Sequence, residues 1–272
     1  MKKVLITGNS GYIGCHLTKL LSKNYHVYGL DENKNTVPVV EHFLEDVCNI
    51  EPIDIDFDTV IHLAALVNVH ESEHKPIDYY HVNLNGTLKV LHHTKFKNFI
   101  FASTGAAANC HSPYGVSKRA AEDCVRQFFK ETDITYTIFR FYNVIGADGF
   151  DPTNPDGLMY NLINAKDTGK FTIFGNDYNT VDGTCIRDYV HVNEVCDAIQ
   201  TAINKPANNL ENLGHGVGYS VQQIVDLFSS VNDVTIDVAY GDRRLGDLEK
   251  SVLDKPSTYM KNMYTIEELL KI

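Results

Sequence analysis

Tyr114 and Lys118 stand four residues apart in Ser112-Pro113-Tyr114-Gly115-Val116-Ser117-Lys118, a spacing that puts both on one face of a helix. A phenol with a reference pKa near 10 acts as a base near neutrality only if its ionised form gains roughly 4 kcal/mol. A lysine on the same face supplies part of that by direct attraction, and a nicotinamide cation alongside would add to it. Ser103 and Thr104 close the apolar run just upstream, where a hydroxyl can relay a proton or hold a substrate.

A second chemistry lies at the N-terminus. Thr7-Gly8-Asn9-Ser10-Gly11-Tyr12-Ile13-Gly14 separates a β-branched run from a helical pattern. Gly8, Gly11 and Gly14 allow a tight turn there and let backbone N–H groups approach a pyrophosphate at the helix N-terminus. Asp31 follows 17 residues after Gly14, at the end of the next apolar run. A carboxylate there accepts from a ribose 2′-hydroxyl and repels a 2′-phosphate, so the pattern favours NAD over NADP.

The elements that must position these groups alternate. Strands are expected at Val4–Ile6, His26–Leu30, Thr59–Ala64, Asn98–Ala102 and Thr135–Phe141. Between them, apolar residues recur at helical spacing: Ile13, Leu17, Leu20 and Leu21; then Tyr80, Leu84, Leu88 and Leu91; then Ala121, Val125, Phe128 and Phe129. Such βαβ alternation predicts an α/β fold with a doubly wound parallel Rossmann sheet. The stretch 147–157 is rich in proline and carboxylate and reads as a boundary loop. Beyond it, helices are expected at Leu158–Ala165, Asn193–Ile203 and Ser220–Ser230, with strands at Phe171–Phe174 and Thr235–Tyr240. The expected organisation is an NAD-binding domain over 1–146, with a return segment near 182–212, and a smaller mixed α/β domain over 147–272.

Composition narrows the function classes. The 272 residues carry 24 basic and 35 acidic side chains, a net charge of −11, which disfavours a nucleic-acid partner. No apolar run reaches the ~18 residues of a membrane span, and the first residues enter an element without a signal peptide. The six cysteines form no CxxC pair, and a reducing, cytoplasmic setting is expected. The twelve histidines are scattered, so no metal is expected.

With these motifs in place, the chain resembles the extended short-chain dehydrogenases, and within them the UDP-glucose (UDP-galactose) 4-epimerases. Val60-Ile61-His62-Leu63-Ala64-Ala65 and Asn83-Leu84-Asn85-Gly86-Thr87 match blocks common to the superfamily. Phe139-Arg140-Phe141-Tyr142-Asn143, Phe174-Gly175-Asn176-Asp177-Tyr178, the run Asp182 to Val192, Asn212-Leu213-Gly214 and Arg243-Arg244-Leu245-Gly246-Asp247 are more specific.

The resemblance implies a Tyr114 base, with Lys118 on the nicotinamide ribose and Thr104 as the hydroxyl partner, Ser103 being the adjacent fallback. It places Tyr12, Ile13, Asp46, Val47, Leu63, Ala64, Ala65, Val67, Asn83 and Tyr142 at NAD. Asn143, Leu158, Thr172, Ile173, Phe174, Arg187, Arg244, Asp247 and Ser251 fall at the UDP-sugar, and physics agrees for the arginines, because a diphosphate prefers planar bidentate donors. A homodimer is also implied.

Departures from the family pattern carry expectations of their own. Val67 stands in place of a lysine, Gly157 in place of an asparagine, and Ala108 in place of a tyrosine. The connection from Thr104 to Tyr114 is short, which predicts a pocket open on that flank. Ser251 occupies a position where a bulky tyrosine restricts some epimerases, so its small side chain predicts room for an N-acetyl group. Two rival readings are a nucleotide-sugar dehydratase or reductase and a non-catalytic NAD sensor. Gly105-Ala106 follow Thr104 where a dehydratase needs an acidic pair, and the sensor predicts loss of the Tyr–Lys pair that is present.

Overall fold

A computed structural model of the chain describes residues 1–147, 149–260 and 264–272; Asp148, in the expected boundary loop, lies outside them. Among the described residues, thirteen strands run in chain order: β1 Lys3–Thr7, β2 His26–Asp31, β3 Glu41–Leu44, β4 Asp56–His62, β5 Lys95–Thr104, β6 Thr135–Phe141 and β7 Asn143–Ile145. They continue with β8 Lys170–Phe174, β9 Ile186–His191, β10 Asn209–Leu213, β11 Gly218–Ser220, β12 Asp237–Gly241 and β13 Lys250–Ser251. The chain divides into two compact units, 1–141 with 196–211, and 142–195 with 212–272.

The first unit is built on a seven-stranded sheet in the order β10-β6-β5-β4-β1-β2-β3. The pairs β1–β2, β1–β4, β2–β3, β4–β5 and β5–β6 are all parallel. The order reverses beside β1, the point at which open α/β sheets bind ligands beyond the carboxyl ends of their strands. Helices on the faces explain the unbroken apolar strands: Val4, Leu5 and Ile6 are each fully buried. Leu5, Leu30, Val60, Phe99, Phe101 and Ile138 share one core with Val90 and Val125 from flanking helices.

Two features of this unit differ from the sequence pattern. The expected helix around 80–91 is three pieces: Pro76–Tyr79, a π-helical turn Tyr80–Gly86, and Thr87–His93. β3 was not anticipated because Glu41-His42-Phe43-Leu44 is an edge strand with neither face fully buried.

The second unit holds a small sheet, in which β9 pairs in parallel with β7 and β13 and antiparallel with β11, and a parallel β8–β12 pair. Helices Leu158–Thr168 and Val221–Val231 pack Met159, Leu162, Ile224 and Phe228 against Ile173 and Tyr189. Val221–Val231 starts on a capping box, Ser220 accepting from Gln223 N–H while the Gln223 side chain accepts from Ser220 N–H. Strands of two or three residues, such as β7, β11 and β13, are too short to show a period.

Candidate functional site

The glycine loop is fixed by close approaches that no side chain would survive. Gly8 has φ +75°, and a Cβ there would lie 2.7 Å from Ala64 N. A Cβ on Gly14 would lie 2.0 Å from the Gly8 carbonyl oxygen and 2.7 Å from Asn9 Cα. Helix Tyr12–Leu21 therefore starts tightly beneath the turn, with Tyr12 and Ile13 as its first residues and Gly11 as a cap that brings no side chain. No acid sits in its first turn, so the positive end of the helix dipole stays available to an anion.

Asp31, at the end of β2, is 8% exposed and accepts N–H bonds from Ser10 (3.0 Å) and Asn33 (2.9 Å). These bonds tie the carboxylate to the loop without using all of its lone pairs. The wall continues at Leu63, Ala64 and Ala65, where Leu63 N–H donates to Thr7 carbonyl and Ala64 N–H to Thr7 Oγ1. The glycine cradle, the uncapped helix start and the acid at the strand end fit a dinucleotide.

Other residues expected at NAD act less directly. Asn83 is fully buried in the π-helical turn. Its Oδ1 accepts from Leu66 N–H (2.8 Å), and its Nδ2 donates to the Leu66 carbonyl (2.9 Å) and to Ser117 Oγ (3.1 Å). The amide is fully committed, so Asn83 pins the 63–67 segment to the Tyr114 helix. Asp46 caps its own turn through Cys48 N–H and Asn49 Nδ2. Val47 is packed in the core and Val67 is half exposed.

Tyr114 and Lys118 lie on helix Pro113–Phe128, whose N-cap Ser112 accepts from Gly115 N–H. Both are buried, at 8% and 2% exposure. The short connection from Thr104 is one helical turn, Ala106–Asn109, and the ring of fully buried Tyr79 meets Tyr114 edge-on at 6.2 Å. The flank that the sequence predicted to be open therefore leaves Tyr114 out of solvent.

Burial pushes the Tyr114 hydroxyl up to about 12, and a hydrogen bond with Thr104 pulls in the opposite direction. Ser103 turns away and donates to Glu122 at 2.6 Å, so Thr104 is the hydroxyl that meets Tyr114. Burial draws Lys118 down to about 7, against the charge of Glu122. Its ammonium lies 4.2 Å over the Phe101 ring, on which His62 also stacks. His62 is bracketed by the Thr7 and Thr87 hydroxyls at 2.7 and 3.0 Å. Burial and the Lys118 charge push it down to about 3, so it stays neutral.

In the second unit the two expected arginines share one acid. Arg244 Nε lies 3.4 Å from Asp247 Oδ2, and Arg187 Nη2 lies 3.6 Å from Asp247 Oδ1. Arg244 also covers the ring of half-exposed Phe174 at 4.7 Å and donates to the Asp156 carbonyl, next to Gly157 and Leu158. Ser251 pairs in register with Arg187 across β13 and β9. Asn143, on β7, which also pairs with β9, donates from Nδ2 to the Asp188 carbonyl at 3.0 Å. Thr172 points outward from β8, whereas Ile173 turns into the core at 1% exposure and offers only its backbone. Tyr142 opens this unit by donating its N–H to Leu213.

Two acids missing from the candidate residues organise these groups. Fully buried Asp188 accepts from His215, Gly216 and Leu253 N–H groups at 2.7, 2.8 and 3.2 Å, which holds the strand carrying Ser251 beside Arg187. Burial nevertheless raises its carboxyl above the ordinary range, against those three bonds. Glu122 plays the corresponding part beneath Lys118. The available sequence signal was Glu122 repeating the four-residue spacing of Tyr114 and Lys118.

Among the described residues, no group of three or more His, Cys, Asp or Glu is placed to hold a metal. No helix there is long and apolar enough to cross a membrane.

Comparison with known proteins places this geometry. The model of the NAD dependent epimerase/dehydratase family matches residues 4–214. UDP-glucose 4-epimerase of Haemophilus influenzae is 32% identical over 314 aligned positions that cover 97% of this chain and 93% of that protein. UDP-arabinose 4-epimerase 1 of Arabidopsis thaliana is 31% identical, covering 96% of this chain and 74% of that one. Among solved structures, UDP-glucose 4-epimerase from Bifidobacterium longum in complex with NAD+ and UDP aligns with a TM-score of 0.85 at 27% identity, over 98% and 96% of the two chains.

Proposed function

Because the chain belongs to the NAD dependent epimerase/dehydratase family, we propose that it interconverts UDP-sugars that differ in configuration at C4, with NAD as resident cofactor. The observation that carries this reading is Tyr114 and Lys118 buried together on one helix face, with the Thr104 hydroxyl opposing the upward shift of the phenol. Gly8, Gly11, Gly14, the start of helix Tyr12–Leu21 and Asp31 hold the dinucleotide. NAD held there would supply a reversible hydride acceptor for sugar C4.

The protein's part is to move one proton and to hold the sugar. Tyr114 Oη takes the proton of the C4 hydroxyl and later gives it back, so the overall reaction is redox-neutral. Thr104 orients the phenol, and Lys118 binds the ribose and contributes charge. Lowering Tyr114 from about 12 to neutrality requires ~7 kcal/mol. One unit charge ~6 Å away, the reach of an i,i+4 pair, supplies ~3 kcal/mol at an effective dielectric of 20. Lys118 alone is therefore insufficient, and a positively charged nicotinamide bound alongside would add a contribution of the same sign.

Arg187 and Arg244 bind the diphosphate, with Asp247 fixing both guanidinium planes before the anion arrives. The small Ser251 side chain leaves room beside Arg187 for an N-acetyl group, so UDP-N-acetylhexosamines are accepted along with UDP-hexoses. Two copies pair through the Pro113–Phe128 helix, where Phe128 is half exposed while Phe129 is core; sedimentation of the purified protein as a monomer at micromolar concentration would remove that element. Six free cysteines suit a reducing cytoplasm.

A test of the reaction is incubation with UDP-galactose and chromatographic detection of UDP-glucose, with no cofactor added beyond what copurifies. Net consumption of added NADH would favour a reductase, and tight NAD binding without any conversion would favour a sensor.

A further inference from the structure

Tyr114, Lys118 and Glu122 occupy positions i, i+4 and i+8 of helix Pro113–Phe128, a single stripe with exposures of 8%, 2% and 0%. At its inner end the Glu122 carboxylate is held by three donors. Ser103 Oγ reaches it at 2.6 Å, Arg140 Nε at 2.8 Å and Arg140 Nη2 at 2.6 Å. Ser103 and Arg140 are partners in the β5–β6 register, so adjacent strands deliver all three bonds to one acid. An enclosed carboxylate gripped by a guanidinium fork has one orientation. Lys118 has no such grip, since its ammonium rests on the face of Phe101.

We propose that Glu122, locked by Ser103 and Arg140, is a positioning residue whose fixed negative charge keeps Lys118 protonated and aligned on the stripe it shares with Tyr114. The role of Lys118 in turnover rests on the epimerase reading, whereas the Glu122–Lys118 coupling does not.

The geometry explains why such a counter-charge is needed. Burial draws the Lys118 ammonium down to about 7, and Glu122 is the group whose charge opposes that loss. The other titratable groups facing Lys118 do not replace it. His62 is held neutral, Tyr114 is uncharged in the resting protein, and Arg140 carries the wrong sign. Arg140 grips the carboxylate and so partly offsets its field without abolishing it.

The test reads Lys118 itself, in protein labelled with 13C-lysine and without added cofactor. The Lys118 Cε resonance is identified by its absence from Lys118→Met, and its midpoint is followed with pH. Glu122→Gln is expected to lower the midpoint by about one unit, tenfold in proton affinity. Glu122→Asp, which keeps the charge, should leave it within a few tenths of a unit of native.

If Glu122→Gln does not fold, the double change Glu122→Gln, Arg140→Met removes the pair as a unit, which buried pairs tolerate better than loss of one partner. A smaller downward shift is expected there, because the Arg140 charge that partly offsets the Glu122 field is removed with it. An unmoved midpoint in either variant, or an equal fall in Glu122→Asp, would overturn the proposal. Absence of UDP-sugar conversion alongside a normal Lys118 shift would count against the epimerase reading and leave this coupling intact.

Discussion

Gly14→Ala sets two principles against each other. Gly14 lies inside helix Tyr12–Leu21, and on helix propensity alone alanine should stabilise the protein by ~1 kcal/mol. The structure predicts the opposite. The new Cβ would stand 2.0 Å from the Gly8 carbonyl oxygen, 2.7 Å from Asn9 Cα and 2.9 Å from Asn9 carbonyl carbon, all backbone atoms that cannot rotate away.

Relief requires the loop to retreat by ~1 Å, and overpacking of this kind typically costs ~1–3 kcal/mol. The retreat also displaces the amides that face the pyrophosphate, and ~1 Å of misplacement at a positioning group costs on the order of 100-fold. Gly11→Ala is the control, because its Cβ would meet only the Gly8 oxygen at 3.4 Å, with an ordinary φ of −76°. Isothermal titration with NAD and urea denaturation of both variants decide the matter. Gly14→Ala should lose both affinity and stability, and Gly11→Ala should lose little stability. A Gly14→Ala protein that is stabilised by ~1 kcal/mol and binds NAD as native would refute the close-approach account of the loop.

Other outcomes follow from the same geometry. Asp31→Asn removes the charge at the end of β2 while leaving an acceptor for one of the two amides it holds, so the preference for NAD over NADP should fall at least ~10-fold; measured affinities that keep the native ratio would contradict the assignment. His62 binds its proton at about 3 in the folded protein against 6.5 ordinarily, so the unfolded chain takes up the extra proton as pH falls through 6.5. Stability should therefore drop by ~2 kcal/mol between pH 7 and 5 from this residue alone, and urea melts of His62→Gln should show a correspondingly flatter profile. Ser251→Tyr should abolish turnover of UDP-N-acetylglucosamine while sparing UDP-glucose; equal loss of both would mean that position 251 does not line the sugar pocket.

What the sequence disclosed was local, and what it hid depended on partners distant along the chain. The Gly8–Gly14 turn, Asp31 and the Tyr114–Lys118 pair are set by short spacings, and the structure places each beside the element expected to carry it. By residue type Ser103 and Thr104 are equivalent, and the resemblance that prefers Thr104 has its physical reason in the β5–β6 register, which sets Ser103 beside Arg140 over Glu122. Asp188 adjoins Arg187 in sequence, yet the strand directs it inward to three amides from residues 215–253. Ile173 was grouped with its neighbours Thr172 and Phe174, although strand alternation sends every second side chain into the core. The rise in Tyr114 toward 12 was also hidden, because burial depends on Tyr79 and the Ala106–Asn109 turn rather than on the motif itself.

Transfer of the C4 proton by Tyr114 is the step that Tyr114→Phe removes. The variant removes one oxygen and keeps the ring that packs against Tyr79. With NAD affinity verified as native, its kcat for converting UDP-galactose to UDP-glucose should fall by ~100-fold to 10,000-fold. A Tyr114→Phe protein that binds NAD normally and epimerises at the native rate would mean that another group moves the proton.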